Sequence, residues 1–205
     1  MKIQPTFKRQ ALSIEDSKRL LQKAKQRAKD VLGKRNYAIV ALLLTTGLRS
    51  IEIERADVFD LDIIDGDHVL FIMGKGRDSK DAFVKLSNEV YEIIQDYLIA
   101  RNDENEALFL THNSKNQSRR LSTKVIRSAV KELLISIGYD SKAHSVHSLR
   151  HTFATTALIE GASLLETKEA LRHSDVSTTQ IYAHLVEKLK SNTYQKVSDA
   201  LFKSK

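Results

Sequence analysis

Between Lys34 and Thr46 the chain reads KRNYAIVALLLTT, and from Ala38 to Leu44 there is no polar position at all. A helix that is apolar on every side has no face to offer water, so it must be surrounded by other elements. This segment therefore predicts a buried central helix, ended at Gly47, around which the rest of the chain is wrapped. Its neighbours read as amphipathic helices. Ser13, followed by Glu15 and Asp16, is an N-cap with acids in the first turn. The helix it opens is expected to reach about Val31, with Ile14, Leu20, Leu21, Ala24, Ala28 and Val31 on one face. A short helix is expected at about Ser50–Ala56.

The period then changes from helical to alternating. Val58–Ile64 alternates, Asp65-Gly66 is a hairpin signal, and His68–Met73 is rich in β-formers. Gly74-Lys75-Gly76 makes a second turn and Ala82–Leu86 a third strand. Further helices are expected from Ser87 to about Ala100, Ser122–Ile137, His147–Glu160, Ser163–Leu171, Ser177–His184 and Glu187–Phe202, with Leu108-Phe109-Leu110 extended and Thr111–Arg120 a basic polar loop. The expected fold is mainly α with a small three-stranded antiparallel sheet.

Several chemistries are excluded by what the chain lacks. It has no cysteine, so disulfides, thiolate zinc sites and cysteine nucleophiles are ruled out. His144, His147 and His151 have spacings of three and four that could place them on one helical face, but no supporting acid stands beside them, and zinc is not expected. The aspartates at 57, 60, 62, 65 and 67 fail the calcium-loop pattern, since the fifth and sixth positions counted from Asp60 are Ile64 and Asp65; they read as a solvated edge and turn. No P-loop and no Gly-x-Ser-x-Gly elbow is present. The longest apolar run, Tyr37–Leu44, is far short of the roughly 20 residues of a spanning helix. With no signal-peptide pattern at its start, the chain is expected to be cytoplasmic, without a membrane partner.

Charge points to an acidic partner. The chain carries 33 Lys+Arg against 26 Asp+Glu, a formal charge of +7. Residues 1–35 alone hold eleven basic and three acidic residues, a balance of +8, so the other 170 sum to −1. A solvated lysine-rich helix face and a nucleic-acid-binding patch explain this asymmetry equally well.

What remains for chemistry is a set of cations and one tyrosine. Arg49 follows the buried helix in Thr46-Gly47-Leu48-Arg49. His147 and Arg150 open a helix at i and i+3, hence as neighbours on one face. Arg172 and His173 close a short helix, and Tyr182 follows nine residues later in Ser-Thr-Thr-Gln-Ile-Tyr. Taken singly, each has a plainer structural role: a surface ion pair for the arginines, half-buried packing for the tyrosine.

Together, TTGLRSIE at 45–52, Gly74–Gly76, HSLRHTFAT at 147–155 and the segment Leu171–His184 resemble, in order and spacing, the boxes of the tyrosine recombinases, the phage-integrase family. The resemblance spans nearly all of residues 13–185, which it implies are a recombinase catalytic domain with that family's fold. It implies DNA strand exchange through a covalent 3′-phosphotyrosyl link, with no metal or other cofactor and no ATP. Tyr182 matches the nucleophile, Arg49 and Arg150 the two phosphate-clamping arginines, and Lys75 the lysine of the β-hairpin. His147 and His173 match the two histidines, and Glu52 the acid that supports the first arginine.

The implied chemistry is coherent. Two guanidiniums grip the non-bridging oxygens on which charge grows in the transition state. A tyrosine with a reference pKa of about 10 is costly to ionise at neutral pH, by about 4 kcal/mol, which a base such as His147 and the positive field offset. Lys75 is the candidate acid for the leaving 5′-oxygen. Arg172 departs from the pattern, standing where the family usually has glycine. It either adds a phosphate contact or holds a backbone conformation that glycine would take more easily.

The resemblance also implies double-stranded DNA recombination sites as partner, assembly into a tetramer on DNA with weak or no association without it, accessory DNA-bending factors, and a nucleoid location. Lys23, Lys25, Arg27, Lys115, Arg119, Arg120, Lys124 and Arg172 are candidate DNA contacts. Residues 1–12 are expected to be a linker from an N-terminal core-binding domain that was either removed from the chain or never present in a natural short member, and 186–205 a C-terminal helix that either folds back or docks on a neighbouring protomer. The expected activity is a mobile-element integrase. The alternatives are type IB topoisomerase-like relaxation and a DNA-binding regulator that does not cleave.

Overall fold

The computed structural model describes residues 10–73, 79–112 and 119–172. Within them the order is α1 (Ile14–Arg27), α2 (Val31–Thr46), α3 (Ser50–Arg55), a 3-10 turn (Val58–Asp60), β1 (Leu61–Ile64), β2 (Asp67–Ile72), β3 (Ala82–Lys85), α4 (Asn88–Arg101), α5 (Thr123–Ile135), α6 (Val146–Ile159) and α7 (Leu164–Leu171). The fold is mainly helical with one three-stranded antiparallel meander, β1-β2-β3. The chain divides into two compact units, Met1–Phe153 and Ala154–Lys205. The division falls inside α6. The expected helices at Ser177–His184 and Glu187–Phe202 lie outside the described residues.

α2 is the centre of the first unit. Ala38 to Leu43 are fully or almost fully buried, and the helix packs against α1 and α4, with α5 completing the surround. Each buried Leu or Ile here contributes about 1.5–3 kcal/mol relative to exposure. The sequence placed Val31 at the end of the first helix and began the second at Lys34. Instead α1 stops at Arg27 and α2 begins at Val31. Asp30 is the reason: its carboxylate accepts the Gly33 N–H at 2.7 Å, an N-cap that restarts the helix. Gly33 lets the two helices turn this tightly, since a Cβ there would lie 1.9 Å from the Arg27 carbonyl oxygen.

The hairpin between β1 and β2 turns on Asp65 and Gly66, both with positive φ (51° and 85°), the two-residue connection whose twist matches the strands. The strand expected from Val58 starts only at Leu61. Asp57 and Asp60 cap a 3-10 turn instead, the Asp60 carboxylate accepting the Asp57 N–H at 2.6 Å. These two acids are also not the solvated edge expected of them. Asp60 is 3% exposed, and both accept hydrogen bonds from Lys80. Asp62 and Asp65 are exposed, and Asp67 pairs with Lys85 at the surface.

After α4 the chain is pinned by buried donors. Arg101 donates to the Ala107 and Leu108 carbonyls, and Arg35 to the Leu110 carbonyl at 2.9 Å. The buried Tyr97 hydroxyl accepts the Leu110 N–H at 3.1 Å and lies 2.9 Å from His112 Nε2. Burial, with Arg35 beside it, holds His112 below the ordinary histidine value. At the other end, Leu12 donates its N–H to Thr152 Oγ1 at 2.8 Å, tying the entry of the chain to α6.

In the second unit, Ser163 and Glu166 form a capping box at the start of α7, and Thr167 and Leu171 are its buried residues. Among the described residues no helix is long and apolar enough to cross a membrane.

Candidate active site

α2 delivers the first arginine. The helix ends at Thr46, whose hydroxyl donates to the Leu42 carbonyl at 2.6 Å, and Gly47 turns the chain in the left-handed region at φ 63°. Two residues on, Arg49 is the N-cap of α3. Its N–H donates to Glu52 Oε2 at 2.7 Å and its own guanidinium donates to Glu52 Oε1 at 2.9 Å. One carboxylate thus fixes both ends of the arginine. Glu52 is 1% exposed while the Arg49 side chain keeps 28%. The pair is therefore anchored on its inner side and accessible on its outer side.

α6 delivers the second arginine to the same turn. Arg150 is 8% exposed, and its Nη1 donates to the Gly47 carbonyl across 103 positions of sequence. A helix-ending carbonyl, left without an intrahelical partner, receives a charged donor. His147 is half-buried one helical turn before Arg150, on the same face. The start of α6 is held by Ser148, whose hydroxyl donates to the Ala143 carbonyl at 2.9 Å and accepts the Ser145 N–H at 3.1 Å. The first unit thereby gathers Arg49, Glu52 and Arg150 around one turn, with His147 one helical turn before Arg150.

His144 lies before α6, with Nδ1 2.9 Å from the Ser141 hydroxyl and its ring edge-on to Tyr139. It is not on one helical face with His147 and His151, as the spacing alone had suggested. Among the described residues no three side chains are arranged to hold a metal ion.

Arg172 is the C-cap of α7 at φ 53°, ψ 44°, the left-handed conformation that glycine accepts without cost. Its Nη1 donates to the Ala170 carbonyl at 2.7 Å. Arg172→Gly should therefore stabilise the protein by about 1 kcal/mol in urea unfolding, the left-handed cost removed less part of glycine's extra chain entropy. A loss of stability would contradict the strain.

Of the candidate DNA contacts, Lys25, Arg27 and Lys124 are exposed and Lys23 is half-buried. Arg119 is exposed, with its backbone N–H bonded to Thr111 Oγ1 at 3.2 Å. Arg120 is exposed as well. Its guanidinium donates to the Glu54 and Ala56 carbonyls, each at 3.0 Å, and pairs with Asp57. Lys75, Lys115, His173 and Tyr182 lie outside the described residues.

Residues 10–188 match the profile of the phage integrase family. The chain belongs to that family. Tyrosine recombinase XerC of Lactobacillus leichmannii is 37% identical over 158 residues, covering 74% of this chain and 50% of the relative. The structure of XerA recombinase matches with a TM-score of 0.71 at 27% identity, over 95% of this chain and 65% of that one. XerH site-specific recombinase, solved in a post-cleavage complex with a palindromic difH substrate, shares the fold with a TM-score of 0.75 at 23% identity, over 93% of this chain and 53% of that one. The chain spans about half the length of the curated relatives it matches.

Sequence reading missed several of the long-range bonds that hold the first unit together. The Gly47 carbonyl, Thr152 and the Lys80–Asp57–Asp60 group carry no local signal, because each acts through a partner distant in sequence.

Proposed function

We propose that this chain is the catalytic part of a site-specific DNA recombinase, the integrase of a mobile element. In this reading it cleaves and rejoins strands through a 3′-phosphotyrosyl intermediate without metal or ATP. The observation that carries the reading is the convergence of Arg49 and Arg150 on the turn Gly47–Arg49. Glu52 holds one of them and the Gly47 carbonyl the other. Two preorganised guanidiniums that meet at one turn suit a phosphodiester whose non-bridging oxygens gain charge, and losing one such donor typically costs roughly a hundred- to a thousandfold in rate.

The remaining roles follow from the motif match. Tyr182 attacks phosphorus and its proton passes to His147. The bond to the 5′-oxygen breaks, and that oxygen takes a proton from Lys75. His173 hydrogen-bonds the phosphate. The bond energy stays in the phosphotyrosine, so rejoining is the reverse attack by a 5′-hydroxyl. The partner is double-stranded DNA gripped by phosphate contacts, with assembly into a tetramer on the recombination site. The basic balance of residues 1–35 and exposed Lys25, Arg27 and Lys124 support such a partner.

The test uses nicked suicide duplexes carrying the ends of the element that encodes this chain, incubated with EDTA. A covalent, SDS-resistant adduct is expected. An adduct that forms only when magnesium replaces EDTA overturns metal independence. Salt-sensitive binding with no adduct under either condition supports the non-cleaving regulator instead.

A further inference from the structure

The helix that carries the first arginine is short. α3 has six residues, Ser50–Arg55, about 9 Å of helix at roughly 1.5 Å per residue. A helix of this length does not hold itself, so its position is set by what fastens its ends. At its start, Glu52 accepts the Arg49 N–H and the Arg49 guanidinium. Both residues belong to α3 and its cap. Their bonds shape the arginine without saying where the helix sits.

The far end is fastened from outside. Arg120 Nη1 donates to the Glu54 and Ala56 carbonyls at 3.0 Å each, and its Nη2 pairs with Asp57. These are carbonyls that a helix end leaves without an intrahelical donor, and a cation there also meets the negative end of the helix dipole. In return, the Glu54 carboxylate accepts the N–H of Thr123, the first residue of α5, whose N-cap Ser122 makes no side-chain cap bond. α3 and α5 thus cap each other. Arg120 is itself held. The Thr111 N–H donates to the Arg119 carbonyl and the Leu121 N–H to the Phe109 carbonyl, each at 2.8 Å, which lays residues 119–121 against the buried Leu108–Leu110 segment.

The Arg120 side chain is 40% exposed, so its ion pair with Asp57 is worth little alone, and the two carbonyl bonds are what fix the end of α3. Burial alone would raise the Asp57 carboxyl. Hydrogen bonds and charge from Lys80 and Arg120 outweigh it and hold the group below the ordinary carboxylate value, so it is charged at neutral pH.

We infer that Arg120 is a positioning residue for catalysis: by holding the C-terminal end of α3 against the start of α5, it sets where Arg49, at the other end of that helix, meets the scissile phosphate. The inference rests on the proposed strand cleavage, and it gives Arg120 a role other than the direct DNA contact expected of its loop. A clamping group displaced by about 1 Å loses up to about a hundredfold in rate.

The experiment is a double-mutant cycle of Arg49→Ala and Arg120→Met, read as single-turnover adduct formation on the nicked duplex in EDTA at saturating protein, with duplex affinity measured beside it. Methionine keeps a long stem and removes every donor. With Arg49 present, Arg120→Met is expected to slow adduct formation about tenfold at saturation. In the Arg49→Ala background there is no guanidinium left to position, and the same change should cost less than about twofold. Arg120→Lys keeps a cation at the helix end but loses the planar fork, and should slow the reaction about threefold with Arg49 present. It replaces Arg120→Met in the cycle if urea unfolding shows that variant to be unfolded.

The same loss in both backgrounds, or no loss with Arg49 present, overturns the inference, because a bond that only stabilises the fold acts whether or not Arg49 is there. A loss confined to affinity, with the saturated rate unchanged, also overturns it and makes Arg120 a plain DNA contact. Arg49→Ala separates the inference from the reading it rests on. If Arg49→Ala is slow and Arg120→Met costs the same in both backgrounds, only the positioning role fails. If Arg49→Ala matches the parent chain, or neither forms an adduct, the proposed clamp fails and takes the positioning role with it.

Discussion

Arg150→Ala is expected to slow adduct formation on a suicide duplex by roughly a hundred- to a thousandfold at saturating protein, the usual cost of removing one preorganised donor from a developing oxyanion. The guanidinium is 8% exposed and its Nη1 is already committed to the Gly47 carbonyl, so its orientation is fixed before any DNA arrives. The same change leaves that buried carbonyl short of its donor, which costs about 1–3 kcal/mol of stability. Arg150→Lys should restore little of the rate. An ammonium offers a point charge, whereas a guanidinium that donates to the Gly47 carbonyl through one nitrogen keeps further donors in the same planar fork. Measuring the single-turnover rate beside the affinity separates the outcomes. A loss that only follows weaker binding would contradict a role in the transition state.

Glu52→Ala comes second in size. This carboxylate accepts the Arg49 N–H at 2.7 Å and the Arg49 guanidinium at 2.9 Å. Its removal uncaps α3 at a cost of about 0.5–2 kcal/mol and lets the guanidinium swing. A displacement of about 1 Å in a clamping group can lower the rate about a hundredfold. Glu52→Gln separates the two effects. The amide oxygen still accepts the backbone N–H, so urea unfolding should change little, while cleavage falls to an intermediate level because the charge that grips Arg49 is gone. Equal rates for Glu52→Gln and the parent would mean that the carboxylate serves only the helix cap.

Much of the fold was legible because local rules and tertiary packing agree in it. The all-round apolar 38–44 stretch is the buried centre, Ser13 does cap its helix, and Asp65-Gly66 does turn the hairpin. The boundaries that moved are those where an aspartate overrode a pattern. Asp30 restarted a helix three residues early, and Asp57 with Asp60 turned the alternating Val58–Asp60 into a 3-10 turn. Neither was visible from periodicity, because capping depends on one side chain rather than on a repeat.

The candidate site divides along a similar line. Arg49, Glu52, His147 and Arg150 were named by their boxes, and Arg172 by the glycine it replaces. What holds them was not legible. The Gly47–Arg150 bond spans 103 positions, and the Lys80 clamp joins a loop to a turn about twenty residues earlier. Ion pairs of this kind exist only once the sheet and α3 are in place. Arg120 illustrates the converse. Its loop reads as basic and open, yet its exposed guanidinium is already paired with Asp57.

The most direct measurement is the site of covalent attachment. The adduct formed on the nicked duplex is digested and the modified peptide identified by mass spectrometry, in the parent chain and in Tyr182→Phe. The account predicts a phosphodiester on the Tyr182 hydroxyl and no adduct in the Phe variant. An adduct carried by any other residue, or one that persists in Tyr182→Phe, would contradict it.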